Sequence, residues 1–338
     1  MKTFFVVLLL HVCFVLPAQP YQLKKVKNNH SASFRGLSVV DDQIAWLGGS
    51  NGWVGISTDG AKSWDFAQIE GMENFSIRSV YAFDGKRALV ANAGSPANIL
   101  LTNDGGKTWK NVYANDNEAA FIDGMDFWNE KEGLVFGDAI DGKMLLLRTG
   151  DGGLTWSEPQ SRPSLNEGEA SFAASGTGIR CTGRQKAIIA TGGITSRLWA
   201  TEDKGGTWGT LVPPIVQGEN TTGIYSVAID GPRIIIVGGD YTKPTVSHHN
   251  NLYSTDGGTT WATPEEGVHG YRECVEFISK NTLMATGPTG IDISVDGGNH
   301  WQPLSDEEGF HVLRKARKGT LIIVAGNNGQ ISIVQKEN

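Results

Sequence analysis

Arginine recurs at one position of a repeated sequence unit, as Arg35, Arg78 and Arg272. A guanidinium presents a planar fork of N–H donors, which can hold a carboxylate or another small anion through paired hydrogen bonds. Other polar residues stand at or near the same point of the remaining units: Asp123, Glu169, Ser171, Tyr225 and His311. The pattern predicts a ring of charged and aromatic side chains, which either binds an anionic group or neutralises itself through internal pairs.

Carboxylates offer a second kind of chemistry. Hydrolysis of a glycosidic bond needs two of them at a set separation, one as the acid and one as the base or nucleophile. Four residues can supply such a pair: Asp123, Asp138, Glu169 and Asp240. A sialidase would also need an Arg-Ile-Pro signature, which the chain lacks. The acids therefore keep a glycosidase open as the alternative to a binding site.

No motif predicts a cofactor or a metal. The segment Gly176–Cys181 begins like a dinucleotide-binding fingerprint, but its sixth position is cysteine and no strand–helix–strand pattern surrounds it. His248 and His249 are neighbours on an expected loop, where adjacent side chains point apart, and no Cys/His/Asp cluster has zinc spacing. A catalytic serine lacks its elbow motif.

An eight-residue pattern, which we call the box, returns six times and marks the elements that would hold these residues. Each copy starts with Ser or Thr, has Asp third, is rich in glycine at its centre and ends in Trp. We expect Asp to accept hydrogen bonds from turn amides, glycine to supply positive φ, and Trp to pack between sheets. Two copies are degenerate, with Ala61 for a glycine and His300 for a hydroxyl. The residues are Asp59, Asp104, Asp151, Asp203, Asp256 and Asp296, with Trp64, Trp109, Trp156, Trp208, Trp261 and Trp301.

The copies are 40 to 53 residues apart, the length of one four-stranded blade. The fold class is therefore all-β, a seven-bladed β-propeller of four-stranded antiparallel blades. Its seventh unit, 310–334, has three strands and no box, so we expect residues 21–27 to pair as its outer strand and close the ring. The first strands of the blades are predicted at 36–40, 79–83, 124–128, 172–174, 227–229, 274–278 and 312–316.

In a propeller, the loop entering the first strand and the loop between the second and third strands lie on one face, opposite the box turns. That face also collects Asp141, Thr195, Arg197, His248 and His249. The boxes are interpreted as structural. The sequence predicts a ligand- or partner-binding site made of Arg35, Arg78, Asp123, Asp138, Glu169, Asp240, Tyr241, Lys243, Arg272 and His311.

The eight-residue pattern resembles the Asp-box, or BNR repeat, of sialidases, sortilin-type receptors, xyloglucanases and photosystem II stability/assembly factors. Over nearly its whole mature length the chain resembles a secreted bacterial group related to those assembly factors, several of whose members are labelled oxidoreductase or glycosyl hydrolase. The boxes carry this resemblance together with residues 33–37, 168–177, 238–244 and 270–272. It implies a partner protein bound through a basic-lined face of the propeller.

Residues 1–18 have the form of a secretory signal peptide, with Lys2, an apolar run over 4–16 and a cleavage site after Ala18. Acylation of Cys13 is disfavoured because small residues do not precede it. The remainder, 19–338, is predicted to be one propeller domain, secreted or periplasmic and without a membrane span.

Cys181 and Cys274 fall in non-adjacent units, which favours free thiols over a disulfide. A net charge of -7 without a basic stripe argues against a nucleic-acid partner.

The sequence thus favours a non-enzymatic, monomeric, exported binding or scaffold protein without a cofactor. Its partner would be a protein or a small anionic or carbohydrate ligand. The alternative is a carbohydrate-active enzyme of the cell envelope that uses acids on the same face.

Overall fold

Seven antiparallel β-sheets stand around a central channel in residues 21–337, which are the residues that the structure, a computed structural model, describes. The predicted signal peptide, with Cys13 and the cleavage site, lies outside them. Within this range no helix is long and apolar enough to cross a membrane. The strands are β1 (Tyr21–Lys25), β2 (Phe34–Val39), β3 (Ala45–Gly49), β4 (Trp53–Ser57), β5 (Asp65–Gln68), β6 (Ser76–Ala82), β7 (Ala88–Ala93), β8 (Ala97–Thr102), β9 (Lys110–Asn115), β10 (Ile122–Phe127), β11 (Gly133–Ile140), β12 (Lys143–Thr149), β13 (Glu169–Ala170), β14 (Ile179–Thr182), β15 (Lys186–Ala190), β16 (Gly192–Gly193), β17 (Leu198–Thr201), β18 (Gly209–Leu211), β19 (Thr222–Asp230), β20 (Arg233–Asp240), β21 (Asn251–Ser254), β22 (Cys274–Phe277), β23 (Leu283–Gly287), β24 (Gly290–Ser294), β25 (Gln302–Ser305), β26 (Phe310–Lys315), β27 (Ile322–Gly326) and β28 (Ile331–Lys336).

Each sheet is one blade, and the seven-bladed all-β prediction is confirmed. Blades 1, 2 and 6 are β2–β5, β6–β9 and β22–β25, while blade 4 is β14, β15, β17 and β18. In blades 3 (β10–β12) and 5 (β19–β21) the outer strand is replaced by isolated bridges: Lys143 to Ser164 and Arg148 to Ser157 in blade 3, and Tyr253 to Ala262 in blade 5. The short strands β13 and β16 extend the sheet of blade 5. Two 3-10 turns, Ser50–Gly52 and Asn327–Gly329, complete the described elements.

The ring closes through the N-terminal strand, as predicted. β1 pairs antiparallel with β28, from Tyr21 opposite Lys336 to Lys25 opposite Ser332, and so completes blade 7. The amide of Val26 extends the pairing by donating to the carbonyl of Ile331 at 2.9 Å. Because β1 covers the edge of β28, the sheet does not present a free strand edge there.

The core lies between neighbouring blades rather than at one centre. Leu134, Val135 and Phe136 of β11 are all fully buried, since both faces of the sheet pack against a neighbouring blade. Alternation of polar and apolar residues is therefore lost in the inner strands, which read as continuous apolar runs. Cys181 and Cys274 are free thiols, as expected.

One predicted first strand is wrong. Residues 172–174 do not form the inner strand of blade 4, which is β14. The chain over 171–178, called the channel segment below, runs within the central channel, where Gly176 adopts a φ of +66°. The other six predicted first strands overlap β2, β6, β10, β19, β22 and β26.

The boxes form the expected turns, as the second copy illustrates. Asp104 accepts hydrogen bonds from the amide of Thr108 at 3.0 Å and from its hydroxyl at 2.6 Å, and from the hydroxyl of Thr102 at 2.8 Å. These bonds, above all the one from the Thr108 hydroxyl, lower the pKa of Asp104 to about 2. In the sixth copy His300 replaces the hydroxyl, with Nδ1 2.6 Å from Asp296. Ala61 takes the left-handed conformation of the glycine it replaces, at φ +63°.

We expect Asp104→Ala to lower the melting temperature at pH 7, because the turn loses its acceptor. The carboxylate pKa lies below its value of about 3.9 in an unfolded chain. Its contribution is therefore present above about pH 4 and is lost as the pH falls toward about 2. Thermal unfolding across this range should show the variant and the parent converging at low pH. Asp116→Ala, at an exposed loop position, is the control; an equal effect there would remove the special role of the box.

Candidate functional site

A cavity of about 420 Å³ opens on the axis at the face where the inner strands begin. We call it the axial cavity. Four of the predicted site residues line it, Arg35, Arg78, Tyr241 and His311. The rest of its lining consists of Phe121, Phe172, Ala173, Ala174, Tyr225, Tyr271, Glu273 and Pro288. The repeat thus brings four of the ten predicted site residues to one place, together with an acid, Glu273, that the prediction did not include.

That acid, Glu273, is fully engaged by two cavity residues. Its Oε2 accepts from Nη1 of Arg35 at 2.9 Å and lies 2.6 Å from Nδ1 of His311. Nε2 of His311 is in turn 2.8 Å from Oδ1 of Asn327. Burial alone would raise the pKa of Glu273, but the charge of Arg35 and the contact with His311 outweigh it and hold the pKa below its usual value. Glu273 therefore fixes the cavity wall as an ionised carboxylate and is not a free proton donor.

Arg78 is the cationic group of the cavity that has no carboxylate bonded to it among the described residues. Its donors make two long hydrogen bonds, to the carbonyl of Ala173 at 3.3 Å and to the hydroxyl of Ser76 at 3.4 Å. Burial, followed by the nearby charge of Arg35, lowers the pKa of Arg78. A positive charge held in a half-buried site without a bonded counter-charge favours the arrival of an anion.

Aromatic rings form one side of the axial cavity. The rings of Phe172 and Tyr225 stack with centroids 3.8 Å apart and an interplanar angle of 6°. Tyr271 packs edge-on against Tyr225 with centroids 4.7 Å apart. Tyr241, on the loop after β20, leaves 53% of its surface exposed. The cavity can therefore hold an apolar or aromatic group beside an anionic one.

The channel segment forms the floor of the axial cavity. Nη1 of Arg35 donates to the carbonyl of Ala174 at 3.1 Å, close to the bond that Arg78 makes to Ala173. The hydroxyl of Ser175 donates to the carbonyl of Glu273 at 2.7 Å, and Thr177 shares a 2.6 Å hydrogen bond with Ser226. These bonds to blades 1, 2, 5 and 6 hold the segment in place. The two arginines are positioned by its carbonyls.

Asp123 lies below the surface rather than on it. It is 0% exposed, and neither carboxylate oxygen has a hydrogen-bond donor among the described residues. Burial, and then the neighbouring charge of Asp138, raise the pKa of Asp123 well above its usual value. Asp138 accepts from the amide of Ser171 at 2.8 Å, and burial raises its pKa as well. Asp123 is therefore a buried acid whose neutral form is favoured.

We expect Asp123→Asn to raise the melting temperature at pH 8. An acid with a raised pKa in the folded state stabilises least at high pH, because stability falls as the pH rises above its unfolded value of about 3.9. The amide cannot ionise, so the gain over the parent should grow between pH 4.5 and pH 8 in thermal unfolding. Asp116→Asn controls for a general charge effect. A lower melting temperature at pH 8 would show that the ionised form stabilises the fold.

The other two candidate acids are bound by neighbouring side chains, Glu169 by residues of the segment 191–199 and Asp240 by residues of its own loop. Glu169 forms an ion pair with Arg197 and accepts from the hydroxyl of Thr191 at 2.7 Å and the indole of Trp199 at 3.2 Å. Asp240 accepts from the amide and hydroxyl of Thr242 at 2.9 and 2.6 Å and pairs with Lys243 at 3.3 Å. None of the four acids considered for glycosidase chemistry lines the axial cavity.

Arg272 also lies outside the cavity lining. It is 1% exposed, and its Nε donates to Asp292 at 2.7 Å. Its Nη1 donates to the carbonyl of Tyr271 and the hydroxyl of Thr289 at 3.0 and 2.8 Å. Asp292 is itself fully buried. The third arginine of the ring therefore holds blade 6 together from the interior.

Over residues 21–337, no three His, Cys, Asp or Glu side chains come together as a metal site. The rings of His248 and His249 do not point apart as expected, since their centroids are 4.1 Å apart. His249 adopts a φ of +49°, which brings the two side chains to the same side of the loop.

Comparisons with known proteins support the resemblance seen in the boxes. The sequence profile of the family described as photosynthesis system II assembly factor YCF48 matches residues 17–118. The structure is similar to that of YCF48 bound to a D1 peptide, with a TM-score of 0.67 and 14% identity over 95% of this chain and 97% of that chain. YCF48 from Cyanidioschyzon merolae gives a TM-score of 0.67 and 16% identity over 92% and 98% of the two chains.

The fold is shared more widely. A GH74 xyloglucanase from Xanthomonas campestris matches with a TM-score of 0.64 and 15% identity, over 93% of this chain and 53% of that chain. No curated protein sequence matches the chain significantly. At these identities the structural likeness establishes the propeller fold.

Proposed function

We propose that this propeller, which has the fold of the photosystem II assembly factors, is an exported, non-enzymatic binding protein. Its axial cavity would receive a carboxylate-bearing segment of a partner protein. The observation that carries this proposal is Arg78, a guanidinium in the cavity with no bonded carboxylate beside an aromatic wall. The related structure of YCF48 with a D1 peptide shows that a propeller of this fold can bind a peptide.

The two arginines of the axial cavity would have different roles. Glu273 already neutralises Arg35, so Arg35 shapes the wall and adds little net charge. Arg78 would supply the paired hydrogen bonds to the incoming carboxylate, because its bonds to Ala173 and Ser76 are long and easily exchanged. Phe172 and Tyr225 would pack against the neighbouring side chain of the peptide.

We expect Arg78→Gln to weaken the binding of carboxylate-bearing peptides about 10- to 100-fold, the equivalent of about 1.5–3 kcal/mol for a charge-assisted hydrogen bond. The melting temperature should stay close to that of the parent, because the variant breaks no ion pair. The measurement is an array of octapeptides with acidic or neutral side chains, followed by titration of the best binder with the purified mature protein.

Arg184→Gln provides the control, since Arg184 is exposed at the turn between β14 and β15, outside the axial cavity. It should bind the same peptide as the parent does. Equal affinity in folded Arg78→Gln would contradict the proposal. Robust polysaccharide hydrolysis that is abolished by one acid substitution would replace it with the enzymatic alternative.

Export is proposed from residues 1–18, which have the form of a signal peptide. Amino-terminal sequencing of the protein recovered from the periplasm or medium should begin at Gln19. A protein that stays in the cytoplasm with Met1 retained would remove this part of the proposal.

A further inference from the structure

A second cavity, of about 220 Å³, opens at the opposite end of the channel, on the face of the box turns. We call it the box-face cavity. Basic side chains from two blades and one loop converge on it: Arg180 of β14, Arg314 and Lys315 of β26, and Arg317 of the following loop. Its carboxyl groups are Asp126 and Glu276. Four cationic groups therefore face two acidic ones.

Two of the three guanidinium groups, those of Arg180 and Arg317, are fixed by bonds to neighbouring blades. Arg180 donates through Nε to the carbonyl of Val227 at 2.7 Å and through Nη2 to that of Val275 at 3.0 Å. Arg317 donates through Nη1 to the hydroxyl of Ser38 at 2.9 Å, and its guanidinium carbon lies 4.5 Å from the ring centroid of Tyr81. The groups are thus held in position before any ligand arrives, which lowers the entropic cost of binding.

These bonds leave donors unused. A guanidinium has five N–H groups. Nη1 of Arg180 and the Nε atoms of Arg314 and Arg317 have no acceptor among the described residues, and the bonds of Arg314 to Glu276 and Gly176 are long, at 3.5 and 3.3 Å. The cavity therefore offers N–H groups from three arginines to one small volume.

The two carboxyl groups compensate the arginines incompletely. Asp126 accepts from the amides of Cys181 and Phe127 at 2.7 and 2.9 Å, and Glu276 pairs with Arg180 at 3.1 Å. Burial raises the pKa of both carboxyls in spite of the nearby arginines. Burial disfavours the negative charge of these two carboxyls. It also makes the excess positive charge of the arginines costly.

We propose that the box-face cavity binds a small oxyanion of the phosphate or sulfate type. Convergent guanidinium groups present the paired N–H donors that such an anion accepts. The volume holds one such ion with its remaining water and excludes a folded partner. This site is independent of the peptide-binding proposal, because the channel segment separates the two cavities and Arg314, not Arg78, touches it from this side.

Inorganic phosphate, and sulfate in a parallel series, are the probes for the mature protein. Calorimetric titration at constant ionic strength, with chloride as the balancing salt, should give one bound ion per chain for each. Arg314→Gln and Arg317→Gln should each weaken phosphate binding at least 10-fold. Arg184→Gln removes a charge on the same face outside the cavity and should leave the affinity unchanged.

Absence of saturable binding of both ions to the parent would overturn the proposal, as would an equal loss in Arg184→Gln, which would indicate general attraction by the surface. If Arg314→Gln does not fold, two measurements remain. Arg317→Gln gives the affinity change, and the parent should melt at a higher temperature in phosphate than in chloride of equal ionic strength. An unchanged melting temperature would count against the site.

Discussion

Arg272→Gln is expected to destabilise the propeller by about 3–5 kcal/mol, the usual cost of removing one partner of a buried ion pair. The side chains of Arg272 and Asp292 are 2% and 0% exposed. Without the guanidinium, the carboxylate of Asp292 would keep only His269, whose ring lies 2.8 Å away and is half-exposed. Glutamine cannot supply the missing charge. Urea unfolding of the purified variant gives the free energy directly.

The double variant Arg272→Gln/Asp292→Asn tests the stated cause. The second substitution removes the unpaired carboxylate of Asp292, so the double variant should be more stable than Arg272→Gln alone. If the two substitutions acted independently, their losses of unfolding free energy would add instead. Arg184→Gln, exposed and unpaired in the described structure, should stay within about 0.5 kcal/mol of the parent. An Arg272→Gln protein of parental stability would show that blade 6 does not depend on this pair and would return Arg272 to the candidates for ligand contact.

Removing the closing strand should be equally damaging. A mature protein that begins at Asn28 lacks β1 and Val26, and with them the side chains of Tyr21 and Leu23 that pack on the core between blades 6 and 7. Burial of each large apolar side chain contributes about 1.5–3 kcal/mol, so the partly buried set is worth several kcal/mol. The ion pair between Lys25 and Glu307 at 2.9 Å is exposed and adds little.

The loss also uncovers the edge of β28, which then offers unpaired backbone groups to another chain. We expect a lower melting temperature together with concentration-dependent association in size-exclusion chromatography. A protein that begins at Tyr21 keeps the whole strand and serves as the control. An Asn28 protein that melts like this control and elutes as one species would show that the ring is stable without its closing strand.

Features that depend on contacts between residues close in sequence, or on the number of repeats, could be predicted from the sequence. The boxes were recognisable because Asp104 and its partners Thr102 and Thr108 are all within four residues. The closing strand was predictable because the seventh unit lacks one strand. Each depends on a local pattern or on counting repeats, which a sequence displays directly.

The site was less predictable because its pairings cross the ring. Glu273 pairs with Arg35, 238 positions away in the chain, and no local sequence pattern predicts that contact. Arg272 looked equivalent to Arg35 and Arg78, yet Asp292 of the same blade draws it into the interior. The apolar run 172–174 resembled an inner strand, but the hydroxyls of Ser175 and Thr177 find partners within the channel instead.

Pairing of β1 with β28 also sets an order in time. Tyr21 belongs to the first strand of the described chain to be synthesised, and its partner Lys336 to the last. Blade 7 therefore cannot be completed until β28 has been synthesised, although the strands of blades 1 and 2 are consecutive in the chain. Contacts of such long sequence separation form slowly, because the entropy of closing the loop is lost before the contacts stabilise the chain. Until β28 has been synthesised, the nascent protein carries an open ring in which β1 has no partner.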